Sequence, residues 1–279
     1  ERVRQREIYD PVLTFQLSND FHVRKVMTNY LPNDEESKHY ACLLQWDNIY
    51  YQPPTQEYIN PKTTVRVGLV QWQMRSYKTL DDLFEQVEFF VDAVSDYKSD
   101  FVLFPEYFNA PLMSKYNDKG ESQAIRGLAK YTEEIRDRFI NLAISYNINI
   151  ITGSMPYVKE DGLLYNVGFL CRRDGTYEMY EKIHVTPDEI KSWGLSGGKS
   201  LQTFDTDCAK IGVLICYDVE FPELSRIMAD QGMQILFVPF LTDTQNAYSR
   251  VKVCAHARAI ENECFVVIAG SVGNLPRVH

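Results

Sequence analysis

The chain has 279 residues and a formal net charge of -9 at pH 7, which argues against a nucleic acid or an anionic membrane surface as its main partner. That length allows one large or two smaller domains with a substantial core. No apolar run approaches the length that crosses a bilayer, and the sequence shows no secretory signal.

Six cysteines, at 42, 171, 208, 216, 254 and 264, form neither a C-x-x-C pair nor another zinc spacing. Their scatter suits reduced thiols in a cytoplasm better than a disulfide framework. The five histidines form no H-E-x-x-H set, so neither a metal site nor any cofactor is expected.

Residues 1 to about 60 differ in character from the rest, and the first residue is Glu, as expected of a processed or partial product. Short strands are expected at 12–15 and 21–27, with a brief apolar run at 40–46. Tyr30-Leu31-Pro32-Asn33-Asp34-Glu35-Glu36 reads as a loop, and residues 50–61, with Pro53, Pro54 and Pro61, as a linker.

From Val65 the pattern becomes regular. Residues 65–71 read as a strand. Leu80, Leu83, Phe84, Val87, Phe90, Val91 and Val94 recur at helical spacing. Residues 101–104 form a second apolar strand, closed by Pro105-Glu106-Tyr107. The loop 109–121 is polar and expected to be mobile.

A helix is expected at 132–146, then a strand at 147–154. Two further strands, 164–171 and 176–182, flank the hairpin signal Arg173-Asp174-Gly175. Ile211-Gly212-Val213-Leu214-Ile215-Cys216 reads as a buried strand ending on a thiol. A helix starting near Pro222 follows, with Gly232 as its C-terminal cap. A strand at 235–238, a helix at 248–261 and a strand at 264–269 complete the pattern. Strands alternating with helices indicate a layered α/β domain, and the hairpin indicates a mixed sheet.

Three chemically distinct residues share one topological feature. Glu106, Lys182 and Cys216 each stand at the carboxyl end of a strand. There they form a workable nucleophilic set: thiolate, proton-accepting carboxylate, and an ammonium for the oxyanion. The backbone N–H of Tyr217 is a candidate second oxyanion donor. A helix N-terminus and a nearby ammonium are both expected to lower the thiol pKa. Each residue also has a plainer reading: a core cysteine, a turn acid beside proline, a surface lysine.

Phe104-Pro105-Glu106-Tyr107, Tyr180-Glu181-Lys182-Ile183-His184 and Gly212-Val213-Leu214-Ile215-Cys216-Tyr217-Asp218 closely resemble the three signatures of the nitrilase superfamily of carbon–nitrogen hydrolases. Phe221-Pro222-Glu223 and Arg258-Ala259-Ile260-Glu261-Asn262 also resemble that family. The resemblance runs from about Val65 to Asn274.

It implies a four-layer αββα sandwich with mixed sheets, preceded by a short α+β segment. Glu106 would be general base, Lys182 transition-state stabiliser and Cys216 nucleophile. Glu189 is the candidate second glutamate that orients the site; it can equally be read as a helix-start acid after Pro187. Tyr107, Tyr217 and the Phe240-Leu241-Thr242 loop are candidate pocket walls, and His184 reads as structural.

The implied activity is hydrolysis of a small linear amide or carbamoyl compound through a thioester. The alternative is a non-catalytic interaction domain that keeps the fold. A homo-oligomer is the expected assembly. Phe21-His22-Val23 and Tyr30-Leu31-Pro32-Asn33-Asp34 more faintly resemble the end of a GNAT-type N-acetyltransferase. The expected division is a partial GNAT-like segment and linker over 1–60, without acetyltransferase activity, and a C-terminally incomplete hydrolase domain over 61–279.

Overall fold

The computed structural model describes residues 2–3, 5–19, 21–28, 35–46 and 64–273. The chain divides into two compact units, Glu1–Asn60 and Pro61–His279. In the first, helix α1 (Pro11–Ser18) precedes an antiparallel pair, β1 (Phe21–Thr28) and β2 (Tyr40–Trp46). The strand expected at 12–15 is therefore part of a helix. Asp10 caps it by accepting from the Leu13 N–H at 2.7 Å, and Pro11 presets the first turn. Capping chemistry outweighs the β-propensity of a four-residue apolar run. Most of the loop expected at 30–36 and all of the linker expected at 50–61 lie outside the described residues.

The second unit opens with β3 (Val67–Leu69), α2 (Leu80–Asp96) and β4 (Phe101–Leu103). A reciprocal capping box between Thr79 and Asp82 starts α2. Next come α3 (Glu121–Leu128), α4 (Thr132–Ser145), β5 (Asn149–Ile151), β6 (Met155–Val158), β7 (Leu164–Cys171) and β8 (Tyr177–Glu181). The chain continues through β9 (Phe204–Asp205), β10 (Lys210–Val213), α5 (Pro222–Asp230), β11 (Ile235–Phe240), α6 (Gln245–Asn262) and β12 (Phe265–Gly270).

Two sheets result. One runs β3-β4-β5-β7-β6, with β8 also on β7; its first three strands are parallel and β7 is antiparallel to its neighbours. The other runs β12-β11-β10-β9, parallel except for β9.

Strand alternation sorts the side chains into layers. Phe101 and Leu103 join Ile151, Leu170, Ile211, Val213 and Phe237 in one core, while Val102, Phe104 and Ile150 join Leu83, Val87 and Phe139 in another. The first core lies between the sheets, where the Phe101 and Phe237 rings stand 5.2 Å apart. The second lies under α2 and α4. Leu224 and Met228 of α5 and Val251 and Ala255 of α6 cover the far side of the smaller sheet. The order of layers is thus αββα, as the resemblance implies. At Gly212 an added Cβ would stand 2.4 Å from the Met233 sulfur and 2.6 Å from that of Met228, so a larger residue there would displace both side chains.

Two further differences from the sequence reading have local causes. The expected mobile loop at 109–121 contains a 3₁₀ helix, Ala110–Tyr116, started by Pro111 and with Ala110, Leu112 and Met113 buried. The strand expected at 147–154 is shorter, Asn149–Ile151, and a strand that was not expected, Met155–Val158, follows it. Gly153 adopts φ +71° between them, and a Cβ there would meet the Pro105 carbonyl oxygen at 2.0 Å. The chain turns at Gly153 because β4's exit occupies that space.

Candidate active site

Four strand exits converge on one rim. Glu106 follows β4 and Lys182 follows β8, both in the larger sheet. Cys216 follows β10 and Leu241 follows β11, both in the smaller. The rim carries a cavity of about 450 Å³ that Glu106, Lys182 and Cys216 all line, a volume suited to a small-molecule ligand.

The strand leading to Cys216 stops earlier than its apolar pattern suggests. β10 ends at Val213, and Cys216 begins a 3₁₀ turn, Cys216–Glu220, with φ +50°. A non-glycine residue in the left-handed region costs of order 1–3 kcal/mol and persists only where its surroundings over-determine it. Tyr107, beside Glu106, has φ +51°. Both unusual backbones stand next to the chemistry.

Hydrogen bonds hold this turn from several sides. Arg258, largely buried in α6, donates to the Val219 carbonyl at 3.0 Å while its guanidinium pairs with Glu261. The buried Asp218 carboxylate accepts from the backbone N–H of Ile183 at 3.1 Å and of His184 at 2.6 Å. That bracket ties the Cys216 turn to the segment carrying Lys182. His184 completes it, with Nδ1 3.1 Å from Asp218 and its ring stacked 3.6 Å from Phe221, a structural placement.

Lys182 is 2 % exposed. Its Nζ donates to Glu106 Oε1 at 2.9 Å and to both oxygens of Glu189 at 2.8 Å. An isolated buried ammonium would be very costly, so two carboxylates around it are what make its burial tolerable. Glu189 is a helix-start acid, opening the turn Glu189–Trp193, and it is a partner of the lysine. Thr186 fixes it through N–H and Oγ1 donors at 2.9 and 3.0 Å, and the Tyr107 hydroxyl donates to it at 3.1 Å.

Glu106 is held equally firmly. Asn166 Nδ2 and the Leu241 N–H donate to its two oxygens, each at 2.9 Å. The Cys216 thiol donates to the Leu241 carbonyl at 3.5 Å. Leu241 therefore touches both the acid and the sulfur.

The electrostatics correct one expectation. Burial, then the Glu106 charge, push the Cys216 thiol well above its ordinary range, although Lys182 pulls the other way. A lowered thiol pKa was expected from the ammonium and the helix; burial and the acid outweigh them. Burial also raises Glu106, against the pull of Lys182. For Lys182, burial lowers the pKa, but the charges of Glu106 and Glu189 outweigh it and the net direction is up. Burial thus favours the neutral forms of the thiol and of Glu106, while the two glutamates favour the charged form of Lys182.

Of the expected pocket walls, Tyr107, Tyr217, Leu241 and Thr242 line the cavity. Phe240 instead ends β11 and packs on Tyr248. Sequence reasoning did not single out Asn166, whose signal is only a polar residue inside the apolar β7 run, or Asp218 as a bracket. Among the described residues no group of His, Cys, Asp and Glu is arranged to hold a metal ion, and no helix is long and apolar enough to cross a membrane.

The carbon–nitrogen hydrolase family profile matches residues 66–279. The chain is 46 % identical over 278 residues to the Bacillus subtilis protein named "Probable hydrolase YhcX", covering 99 % of this chain and 54 % of that one. It thus spans about half the length of that relative. It is 32 % identical over 220 residues to the human omega-amidase NIT2, covering 74 % of each. An amidase from Nesterenkonia sp. superposes with a TM-score of 0.64 at 22 % identity, over 75 % of this chain and 77 % of the other.

Proposed function

The chain belongs to the carbon–nitrogen hydrolase family, and from that premise we propose that it hydrolyses a small linear amide or carbamoyl compound through a thioester on Cys216. The observation that carries the reading is the convergence of Glu106, Lys182 and Cys216 on one cavity, with Lys182 Nζ 2.9 Å from Glu106.

The raised thiol pKa fits proton transfer during attack rather than a resting thiolate. Glu106 takes the Sγ proton as the S–C bond forms. Moving that proton leaves the net charge of the site unchanged, which favours it in a low-dielectric setting. Lys182 Nζ and the Tyr217 N–H receive the developing oxyanion; the first N–H groups of a helical turn lack intrahelical partners. Collapse breaks the C–N bond, and Glu106 returns the proton to the departing nitrogen, releasing ammonia or an amine. Glu106 then takes a proton from water, which attacks the thioester carbonyl. The second collapse breaks the C–S bond, the acid departs, and the thiol regains its proton. Glu189 acts by fixing Lys182 and balancing its charge.

The reading extends to a homo-oligomer in a cytoplasmic setting. It also takes the unit Glu1–Asn60 as the end of an acetyltransferase-like domain, on the strength of the short stretches around His22 and Pro32 alone.

The test follows ammonia release across ω-amides, carbamoyl amines and aliphatic amides, with Cys216→Ala as control. Release that depends on Cys216 supports the proposal. Release by the alanine variant at the wild-type rate would refute it. A thiol in folded protein that neither turns over any of these nor reacts with iodoacetamide would favour a non-catalytic domain.

A further inference from the structure

The cavity's charge narrows the class of substrate, an inference that rests on the proposed hydrolase reading. Outside the trio of Glu106, Lys182 and Glu189, the charged side chains lining it are Glu121, Asp188, Glu220, Asp243 and Arg250. Four carboxylates face one guanidinium. That guanidinium is already engaged, with Arg250 Nε 3.2 Å from Glu220 Oε1. Lys182 is held by Glu106 and Glu189. Lys182 is committed to the oxyanion in the proposed reaction, and Arg250 could take an anionic end group only by giving up Glu220 and leaving that carboxylate unpaired.

A plainer explanation accounts for part of the excess. Glu121 opens α3, Asp188 precedes the turn Glu189–Trp193, and Asp243 precedes Thr244, the N-cap of α6. Acids suit such places because a helix N-terminus carries roughly half a positive charge. Half a charge offsets only part of each carboxylate. Among the described residues no ion pair engages Glu121, Asp188 or Asp243, so the mouth stays negative.

We propose that the substrate is a small amide or carbamoyl compound whose far end carries a protonated amine, and that the cavity disfavours the ω-amide of a dicarboxylic acid. Glu220 lies at the end of the 3₁₀ turn that begins at Cys216. Glu121, Asp188 and Asp243 are exposed and Glu220 is half-buried, which makes Glu220 the inner recognition group, a cationic end group exchanging for its contact with Arg250. Asp243 and Glu121 form the outer field that gathers cations from solvent.

Three five-carbon amides of matched length test this with the full chain: 5-aminopentanamide, pentanamide and 4-carbamoylbutanoate. The expected order of kcat/KM is cationic, neutral, anionic, with about tenfold between the first and the last. The spread should sit mainly in KM and shrink in high salt. Glu121→Gln with Asp243→Asn should reduce the spread several-fold. Glu220→Gln, which frees Arg250, should raise kcat/KM for 4-carbamoylbutanoate relative to pentanamide.

A readout without turnover is the alkylation rate of Cys216 by iodoacetate against iodoacetamide, each divided by its rate with free cysteine. The anion should lag about tenfold. Equal normalised rates, or preference for the carboxylate amide, would overturn the charge inference while leaving the hydrolase reading intact. Failure of iodoacetamide itself to label Cys216 counts against the hydrolase reading.

Discussion

Cys171 and Cys216 are both buried thiols, and the difference between their surroundings is instructive. Cys171 ends β7, paired on both sides with Ile150 and Tyr177, in the core under α2 and α4. Burial raises its pKa, as it raises that of Cys216. Burial and pKa direction therefore do not separate an inert thiol from a reactive one. Cys216 differs in standing past its strand end, at φ +50°, on a cavity wall, with Glu106 as a charged neighbour. A thiol becomes a plausible nucleophile when a proton acceptor and an opening reach it together.

The sharpest test of that contrast is a pair of alanine variants. Cys216→Ala should lower amide turnover by about 10³-fold or more and abolish covalent labelling at that position, with the circular dichroism unchanged. Cys171→Ala should keep kcat within about twofold and cost roughly 1–2 kcal/mol in chemical denaturation through the lost packing. If Cys171→Ala were the inactive variant, the contrast would be reversed and the proposed site with it.

Glu106→Gln should come next, lowering kcat/KM about 10²–10⁴-fold, because the amide cannot accept the thiol proton. The wild-type pH profile carries the same information. Glu106 must be ionised to act as base, and burial raises it above its ordinary 4.5. Activity should therefore rise through a limb displaced upward from the ordinary carboxylate range. Lys182 is raised as well, so its charge, and the stability that charge confers, is complete below 10.5 and lost only as pH climbs through its higher folded value. An acid limb at the ordinary carboxylate value would detach Glu106 from the proposed role.

The bracket between the two halves of the site should be less sensitive. Asp218→Asn replaces one carboxylate oxygen with an NH₂ that faces a backbone donor, Ile183 N–H or His184 N–H. One buried donor is left without an acceptor, at a cost of about 1–3 kcal/mol. We expect kcat about tenfold lower, since the groups remain but their spacing loosens, with KM little changed.

The apolar runs of β4, β7 and β11 were legible in the residues because strands buried on both faces are nearly continuous in Val, Ile, Leu and Phe. Glu106 and Cys216 were legible for a related reason, since each follows such a run at the rim; Lys182 follows the mixed strand Tyr177–Glu181 and was legible as a strand end and through the family resemblance. Residues 12–15 were misread because the deciding signals, Asp10 and Pro11, lie outside the run. The early end of β5 and the turn into β6 depend on Gly153 avoiding Pro105, a contact 48 positions apart in sequence. The direction of the thiol pKa depends on how completely the fold excludes water, which residue order does not state. Asn166 and Asp218 became meaningful only once their partners were in place.

The smallest effect we expect is at Tyr107, and it bears on which atoms of the site touch substrate. Its hydroxyl donates to Glu189 at 3.1 Å, and its ring meets Trp193 edge-on with centroids 5.3 Å apart. Tyr107→Phe keeps the ring packing and removes one donor of several. Glu189 would retain Lys182 and both Thr186 donors. A hydrogen bond to a charged group contributes about 1.5–3 kcal/mol, but the remaining donors to Glu189 compensate most of it, so kcat should fall about two- to fivefold with a similarly small loss of stability. A loss beyond about 100-fold with stability unchanged would mean that the hydroxyl meets the substrate directly. The line between groups that react and groups that hold would then run through Tyr107 rather than inside it.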